Sequence, residues 1–173
     1  DVTQSEEAEA FVQETLDTYG RIDALINNVG GAIWTPTLEI SDQEWYEILD
    51  LNLVSAARMS RAVIPTMQQQ GGGVIIMISS IWGREGGGHI TYNAAKAAEI
   101  SMSKSLANEL AADNIRVNTV APGSILFPGG GWDRRQKADP EGIAGFVKRD
   151  FPLGRFGKPE EIGDVVVFLA SER

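Results

Sequence analysis

Helix-type and strand-type hydrophobic patterns alternate along the whole chain, and this alternation constrains the fold more than any other feature. Apolar residues recur at helical spacing over residues 5–19, 42–67 and 92–111 and again after residue 157. Short apolar runs rich in β-branched residues separate them, at residues 24–26, 74–78 and 115–120. Strands that alternate with helices are typical of a parallel sheet covered by helices on both faces. We therefore predict an α/β fold with a doubly wound parallel sheet.

The charge and the cysteine content exclude several classes of function. The 173 residues carry a net charge of −9, no cysteine and a single histidine, His89. A negative chain repels nucleic-acid phosphates and anionic lipids, so neither is an expected partner. Disulfides, thiolate nucleophiles and Cys- or His-rich metal sites are excluded by the same composition. No apolar run approaches the roughly 18–20 residues that span a bilayer, from which we expect a soluble, cytoplasmic protein.

One long helix is predicted over residues 42–67. Ser41 and Glu44 have the spacing of a capping box, in which the Glu44 carboxylate reaches back to the Ser41 backbone N–H. Pro65 is expected to kink this helix near its end. Asn52 lies inside it, where an amide indicates either a bent turn or a polar task.

Tyr92 and Lys96 stand four residues apart in a helical stretch, so their side chains leave the same face one turn apart. An ammonium beside a phenol favours the phenolate, and Lys96 is therefore predicted to lower the pKa of Tyr92. Such a phenol can exchange a proton with a substrate oxygen near neutral pH. The same spacing also fits a surface tyrosine that lies along a lysine side chain.

Polar residues and glycines follow two of the predicted strands, where ligands bind in parallel α/β sheets. After the first strand the chain continues with Asn27, Asn28, Val29 and Gly30, and the next strand ends in Ser79 and Ser80. Glycine lets the backbone approach a ligand closely, and a serine hydroxyl can hydrogen bond to a substrate oxygen. An ordinary turn explains each group equally well.

Three segments, in this order and spacing, resemble the short-chain dehydrogenase/reductase family: ISSIWG at residues 78–83, YNAAK at residues 92–96 and NTVAPG at residues 118–123. The resemblance covers essentially the whole chain. It implies that residues 1–173 form one Rossmann-like dinucleotide-binding domain, with residues 124–152 as a substrate-loop insert. It also implies an NAD(P)-dependent oxidoreductase that transfers a hydride between nicotinamide and a carbonyl or secondary alcohol carbon.

The resemblance assigns catalytic roles by position. Tyr92 would be the acid/base, and Lys96 would lower its pKa and hold the nicotinamide ribose. Ser80 would orient and polarise the substrate carbonyl; it is preferred to Ser79 because its spacing to the next glycine matches the family motif. Asn52 would anchor the water of a proton relay that runs through Lys96.

The same resemblance implies which residues hold NAD or NADP. They are Asp1, Val2, Asn27, Asn28, Val29, Gly30, Tyr92, Lys96, Pro122, Gly123 and Ile125. After Ile125 this chain has Leu126 and Phe127 where many members place a threonine that contacts the cofactor. The family's N-terminal glycine-rich turn and its last strand have no counterpart in these residues, so the chain is expected to be part of a longer sequence.

The expected partners are a small carbonyl or alcohol substrate and further copies of the chain, in a homodimer or homotetramer. One alternative is an epimerase or dehydratase of nucleotide sugars, which uses the same Tyr/Lys pair. Another is a non-catalytic binding subunit or an inactive fragment. The sequence identifies neither the substrate nor the choice between NAD and NADP.

Overall fold

A three-stranded parallel sheet is the centre of the first of two compact units. The computed structural model describes residues 1–172; the first unit comprises residues 1–121 with residue 172, and the second residues 122–171. The strands are β1 (Ala24–Asn27), β2 (Gly73–Ile78) and β3 (Ile115–Val120), hydrogen-bonded in that order. Asn27 is in register with Met77, and Ile78 with Val120, so the strands end at one edge of the sheet. The predicted α/β class is confirmed.

Helices of the first unit cover one face of this sheet. They are α1 (Ser5–Tyr19), α2 (Asp42–Leu49), α3 (Ser55–Gln70) and α4 (Ile90–Glu109). Leu25, Ile75, Met77, Ile115 and Val117 share a core with apolar side chains of α1, α3 and α4. Full burial of a side chain of this size stabilises the fold by about 1.5–3 kcal/mol. Because α4 shares this core with the strands, the same burial holds α4 against the sheet.

The predicted helix over residues 42–67 contains a π-helical turn around Asn52, where a bent turn was one of two expectations. A π-helical turn over Asp50–Val54 separates α2 from α3, and the Ser55 backbone N–H donates to the Asp50 carbonyl five residues back. The Ser41 hydroxyl caps α2 by accepting from the Glu44 N–H at 3.2 Å, as predicted. The Glu44 carboxylate does not complete the capping box, because it accepts from the Thr35 hydroxyl at 2.8 Å. Pro65 lies inside α3, which continues to Gln70.

The second unit is more helical than the sequence predicted. It contains α5 (Gly131–Ala138), α6 (Pro140–Asp150) and α7 (Pro159–Ala170), of which the apolar spacing after residue 157 predicted α7 but not α5. Trp132 of α5 stacks on Phe146 of α6 with ring centroids 5.4 Å apart, and it also contacts Phe151 and Phe156. Packing of this aromatic cluster orders the insert. Within residues 1–172, no helix is both long and apolar enough to cross a membrane.

Glu161 gives α7 a pH-dependent cap. Its carboxylate accepts from the Lys158 backbone N–H at 2.8 Å and from Arg155 at 2.6 Å, and these contacts lower its pKa to about 2. A folded pKa below the ordinary 4.5 stabilises the fold above about pH 4.5, and the contribution is lost as the pH falls towards 2. We therefore expect Glu161→Gln to lower the melting temperature at pH 7 and to have a smaller effect at pH 3. An equal loss at both values in thermal denaturation would contradict this charge effect.

Candidate active site

The ends of β1 and β2 carry two polar segments to the same edge of the sheet. Because Asn27 is in register with Met77, residues 28–30 and 79–80 leave the sheet side by side. Asn27 itself is 6% exposed, and its Nδ2 donates to Ser60 Oγ and lies 3.2 Å from Met77 Sδ. Asn28 and Val29 are exposed. Asn27 thus anchors the start of the loop, whereas its two neighbours are accessible to a ligand.

Asn52 connects this loop to the π-helical turn. Its side chain is fully buried, and Nδ2 donates to the carbonyls of Ile48 and Gly31, each at 2.9 Å. Its Oδ1 accepts from the Gly31 N–H at 3.0 Å. A Cβ on Gly30 would lie 2.7 Å from Asn52 Oδ1 and 3.3 Å from Lys96 Nζ. Only glycine therefore fits at position 30 without displacing these groups.

We expect Asn52→Ala to lower the free energy of unfolding by about 2–3 kcal/mol, because buried backbone groups of Gly31 and Ile48 lose their partners. Urea denaturation measures this loss. The matched control is Asn108→Ala on the exposed face of α4, for which we expect a change within about 0.5 kcal/mol. If Asn52→Ala lowered the free energy of unfolding by no more than the control does, the hydrogen bonds of Asn52 would not stabilise the fold.

The first turns of α4 bring Tyr92 and Lys96 together. Lys96 Nζ lies 5.8 Å from the centroid of the Tyr92 ring. The lysine is 2% exposed, and Nζ donates to the Ile78 carbonyl at 2.9 Å and to Glu99 Oε2 at 2.8 Å. Tyr92 is half-buried, so its hydroxyl is neither fully exposed nor sealed inside the core.

The pKa of Tyr92 is raised, contrary to the prediction from sequence. Burial disfavours the phenolate and is the main cause, a hydrogen bond with Ser80 partly offsets it, and the Glu99 carboxylate raises the pKa further. The prediction considered the Lys96 ammonium alone, whereas in the structure this charge is paired with Glu99. Tyr92 is consequently a proton donor at neutral pH in this structure.

Ser79 and Ser80 have different surroundings. The Ser80 hydroxyl lies near enough to the Tyr92 hydroxyl to lower its pKa, and it accepts from the Trp82 backbone N–H at 3.2 Å. The Ser79 hydroxyl donates to the Lys96 carbonyl at 2.9 Å and faces the backbone of α4. Of the two serines, Ser80 is therefore the one whose hydroxyl can share a substrate oxygen with Tyr92.

Glu99 belongs to this cluster and was not singled out from the sequence. It is fully buried on α4 and contacts Lys96. One signal pointed to it: a carboxylate three residues after Lys96 on the same helix face, between Ala98 and Ile100. Such a residue in an apolar stretch is seldom buried without a partner.

The remaining predicted cofactor residues are Asp1 and Val2, before α1, and three residues of the second unit. The Asp1 carboxylate accepts from the Thr3 N–H at 2.9 Å, and the Val2 carbonyl accepts from Arg58 at 2.6 Å. Pro122, Gly123 and Ile125 belong to the second unit, where Ile125 forms a parallel bridge with Gly157. These five assignments stay predictions.

The groups at the sheet edge fit one end of a nicotinamide dinucleotide. A lysine ammonium has three N–H donors, and two of those of Lys96 are used by Ile78 and Glu99. One donor is left for a ribose hydroxyl, beside Gly30, where a Cβ would lie 3.3 Å from Nζ. A hydroxyl group can both donate and accept a hydrogen bond, so it can pair with the lysine donor, the tyrosine hydroxyl and the backbone groups of this set.

Comparison with known proteins relates the whole chain to nicotinamide-dependent reductases. A family profile described as Enoyl-(Acyl carrier protein) reductase matches residues 1–173. The 3-oxoacyl-[acyl-carrier-protein] reductase FabG of Thermotoga maritima is 38% identical over 172 residues, which is 99% of this chain and 68% of the relative. The chain thus spans about two thirds of the length of the curated relatives it matches.

Solved structures show the same similarity. The L-sorbose reductase of Gluconobacter frateurii, complexed with NADPH and L-sorbose, is 35% identical with a TM-score of 0.92, over 100% of this chain and 68% of that one. A 7α-hydroxysteroid dehydrogenase complexed with NADH and a 7-oxo bile acid conjugate is 30% identical with a TM-score of 0.88, over 99% and 65% of the two chains.

Proposed function

Since the chain belongs to the short-chain dehydrogenase/reductase family of NAD(P)-dependent oxidoreductases, we propose that it carries the proton-transfer site of an enzyme that interconverts a small carbonyl compound and its secondary alcohol. The supporting observation is the cluster at the sheet edge. There the Ser80 hydroxyl lies near enough to the Tyr92 hydroxyl to lower its pKa, and the Lys96 ammonium lies 5.8 Å from the Tyr92 ring.

Each residue of the cluster has a task in this reaction. In reduction, Tyr92 donates its proton to the substrate carbonyl oxygen. Ser80 donates a hydrogen bond to the same oxygen while negative charge develops on it. Lys96 would hold a ribose hydroxyl of the cofactor beside Tyr92, and Asn52 would anchor the water of the relay that returns a proton to Tyr92. In oxidation the proton moves in the opposite direction.

When bound, the nicotinamide cofactor supplies or accepts the hydride. The residues proposed to hold NAD or NADP are Asp1, Val2, Asn27, Asn28, Val29, Gly30, Tyr92, Lys96, Pro122, Gly123 and Ile125. Within this set, Asn27 acts indirectly, because its buried amide fixes the loop that presents Asn28 and Val29.

The proposal extends to the organisation of the protein. Residues 1–173 act as one catalytic domain, in a homodimer or homotetramer in the cytoplasm, with residues 124–152 as the substrate loop. In support of a substrate loop, the second unit contains a cleft of about 830 Å³ lined by apolar side chains such as Ile143, Val147 and Phe151. A cleft of this size accommodates a small organic substrate.

Cofactor binding and turnover test this function together. We expect NADH or NADPH, added to the full-length protein, to raise the melting temperature, and a panel of small ketones to be reduced with loss of absorbance at the nicotinamide band. A non-catalytic binding subunit would show the thermal shift without turnover. Absence of both effects with either cofactor would overturn the proposal.

A further inference from the structure

Glu99 is a buried acid that the proposed reaction does not use. It lies on α4 one turn after Lys96, and its side chain is only 1% exposed to solvent. Burial raises its pKa, and the contact with Lys96 opposes this increase. A hydrophobic side chain of similar volume would fill the same space without desolvating a charge. The presence of a carboxylate at this position therefore calls for an explanation beyond packing.

Glu99 contacts Lys96 of the proposed site and lies near Ser79. Oε2 accepts from Lys96 Nζ at 2.8 Å, and the Ser79 hydroxyl, which donates to the Lys96 carbonyl, lowers the pKa of the carboxylate. Oε1 is buried and has no hydrogen-bond partner among the described residues. An unpaired buried carboxylate oxygen costs stability, so a purely structural ion pair would be expected to satisfy both oxygens.

The two acceptors of Lys96 also fix where its charge lies. Ile78 and Glu99 each take one N–H donor of Nζ, from the end of β2 and from α4. With Nζ held 5.8 Å from the Tyr92 ring, the positive charge of Lys96 and the negative charge of Glu99 act on Tyr92 in opposite directions. The ammonium is positioned, and the carboxylate 2.8 Å from it opposes its effect on the phenol.

Other charged groups near α4 are exposed or have their own partners. Those on the elements that pack against α4 are Asp42, Glu44, Glu47, Asp50, Asp113 and Arg116. Glu44 accepts from Thr35, Asp50 pairs with Arg58, and Asp113 accepts from Gln68. Asp42, Glu47 and Arg116 are exposed. Glu99 is the carboxylate that influences Tyr92 directly.

We propose that Glu99 is a positioning residue that fixes the Lys96 ammonium and offsets its charge, which keeps Tyr92 protonated and adapts the site to carbonyl reduction. This inference rests on the proposed function for its meaning in catalysis. In reduction the phenol must carry a proton when the substrate binds, whereas oxidation requires the phenolate. A site with an unpaired lysine beside the phenol would favour the oxidative direction instead.

Ultraviolet titration of tyrosine tests the proposal without cofactor or turnover. The absorbance of tyrosinate near 295 nm is followed against pH for the parent protein and for its Tyr92→Phe variant, and the difference gives the ionisation of Tyr92 alone. The same pair is then measured on the Glu99→Gln background. We expect Glu99→Gln to lower the ionisation midpoint of Tyr92 by about one pH unit, as for loss of a charge several ångströms away at an effective dielectric near 20.

Two further variants separate charge from packing. Glu99→Asp keeps the carboxylate, so its midpoint should lie closer to that of the parent than that of Glu99→Gln does. Glu109→Gln, at the exposed end of α4, should leave the midpoint unchanged. An unchanged or raised midpoint in Glu99→Gln would overturn the proposal.

Activity measurements then distinguish this inference from the proposed function. If the parent reduces ketones, Glu99→Gln should shift the pH profile of alcohol oxidation to lower pH by a similar amount, whereas an unshifted profile counts against the inference. If the parent binds cofactor but shows no turnover, the proposed function fails. The ionisation midpoint of Tyr92 in the ultraviolet titration still shows whether Glu99 keeps Tyr92 protonated.

Discussion

Tyr92→Phe should remove nearly all ketone reduction and alcohol oxidation from the full-length protein. Phenylalanine has the same ring but no proton to donate, and loss of a positioned general acid lowers turnover by about 10²- to 10⁴-fold. The half-buried ring packs as before, so the melting temperature should change little. Steady-state kinetics with saturating cofactor measures the loss of kcat, and a cofactor titration shows whether affinity stays within severalfold of the parent.

The matched control for this substitution is Tyr19→Phe. Tyr19 ends α1 and is 74% exposed, so the same loss of a hydroxyl there should leave kcat unchanged. Turnover of Tyr92→Phe within severalfold of the parent would remove Tyr92 from the catalytic role. Such a result would favour a reaction in which another group delivers the proton.

Lys96→Met should destabilise the fold as well as abolish turnover. The side chains of Lys96 and Glu99 are 3% and 1% exposed, and removal of one partner from a buried ion pair costs about 3–5 kcal/mol. Because the pKa of Glu99 is already raised by burial, the folded state holds its proton more tightly than the unfolded state does. The destabilisation should therefore be smaller near pH 5 than near pH 8. Urea denaturation at the two pH values measures the loss of stability and its dependence on pH.

A second substitution identifies the cause of this instability. In Lys96→Met with Glu99→Leu, no charge remains buried, and we expect most of the lost stability to return while turnover stays absent. The control is Lys104→Met, an exposed position on the same helix, which should change stability by less than about 0.5 kcal/mol. Additive losses in the double variant would mean that the two side chains do not stabilise one another.

The strands were predictable from the sequence, but the π-helical turn between β1 and β2 was not located by the apolar spacing. Runs such as residues 74–78 identify β2 because β-branched residues with no turn former have few other stable arrangements. By contrast, the apolar spacing over residues 42–67 continues through Asp50–Val54 without interruption. The π-helical turn there coincides with the hydrogen bonds of Asn52 to Gly31, a residue 21 positions earlier in the chain. Such a long-range contact leaves no trace in local spacing.

The predicted charge effect on Tyr92 failed for a related reason. The spacing of Tyr92 and Lys96 correctly placed both side chains on one helix face, and the ring-to-ammonium distance of 5.8 Å agrees with it. Burial and the partner of the ammonium were not visible from that spacing. The pKa of Tyr92 is raised chiefly because the phenol is desolvated, and the Glu99 carboxylate raises it further. Proximity alone does not fix the sign of a pKa shift.

The amino-acid pattern by itself determined the parallel α/β architecture and the helix face shared by Tyr92 and Lys96. Both follow from the periodicity of a helix or strand, which acts between neighbours in the chain. Only the tertiary structure decided between the two expectations for Asn52, the different surroundings of Ser79 and Ser80, and the burial of Glu99 beside Lys96. These features depend on desolvation and on hydrogen bonds between distant segments, which exist only once the chain has packed.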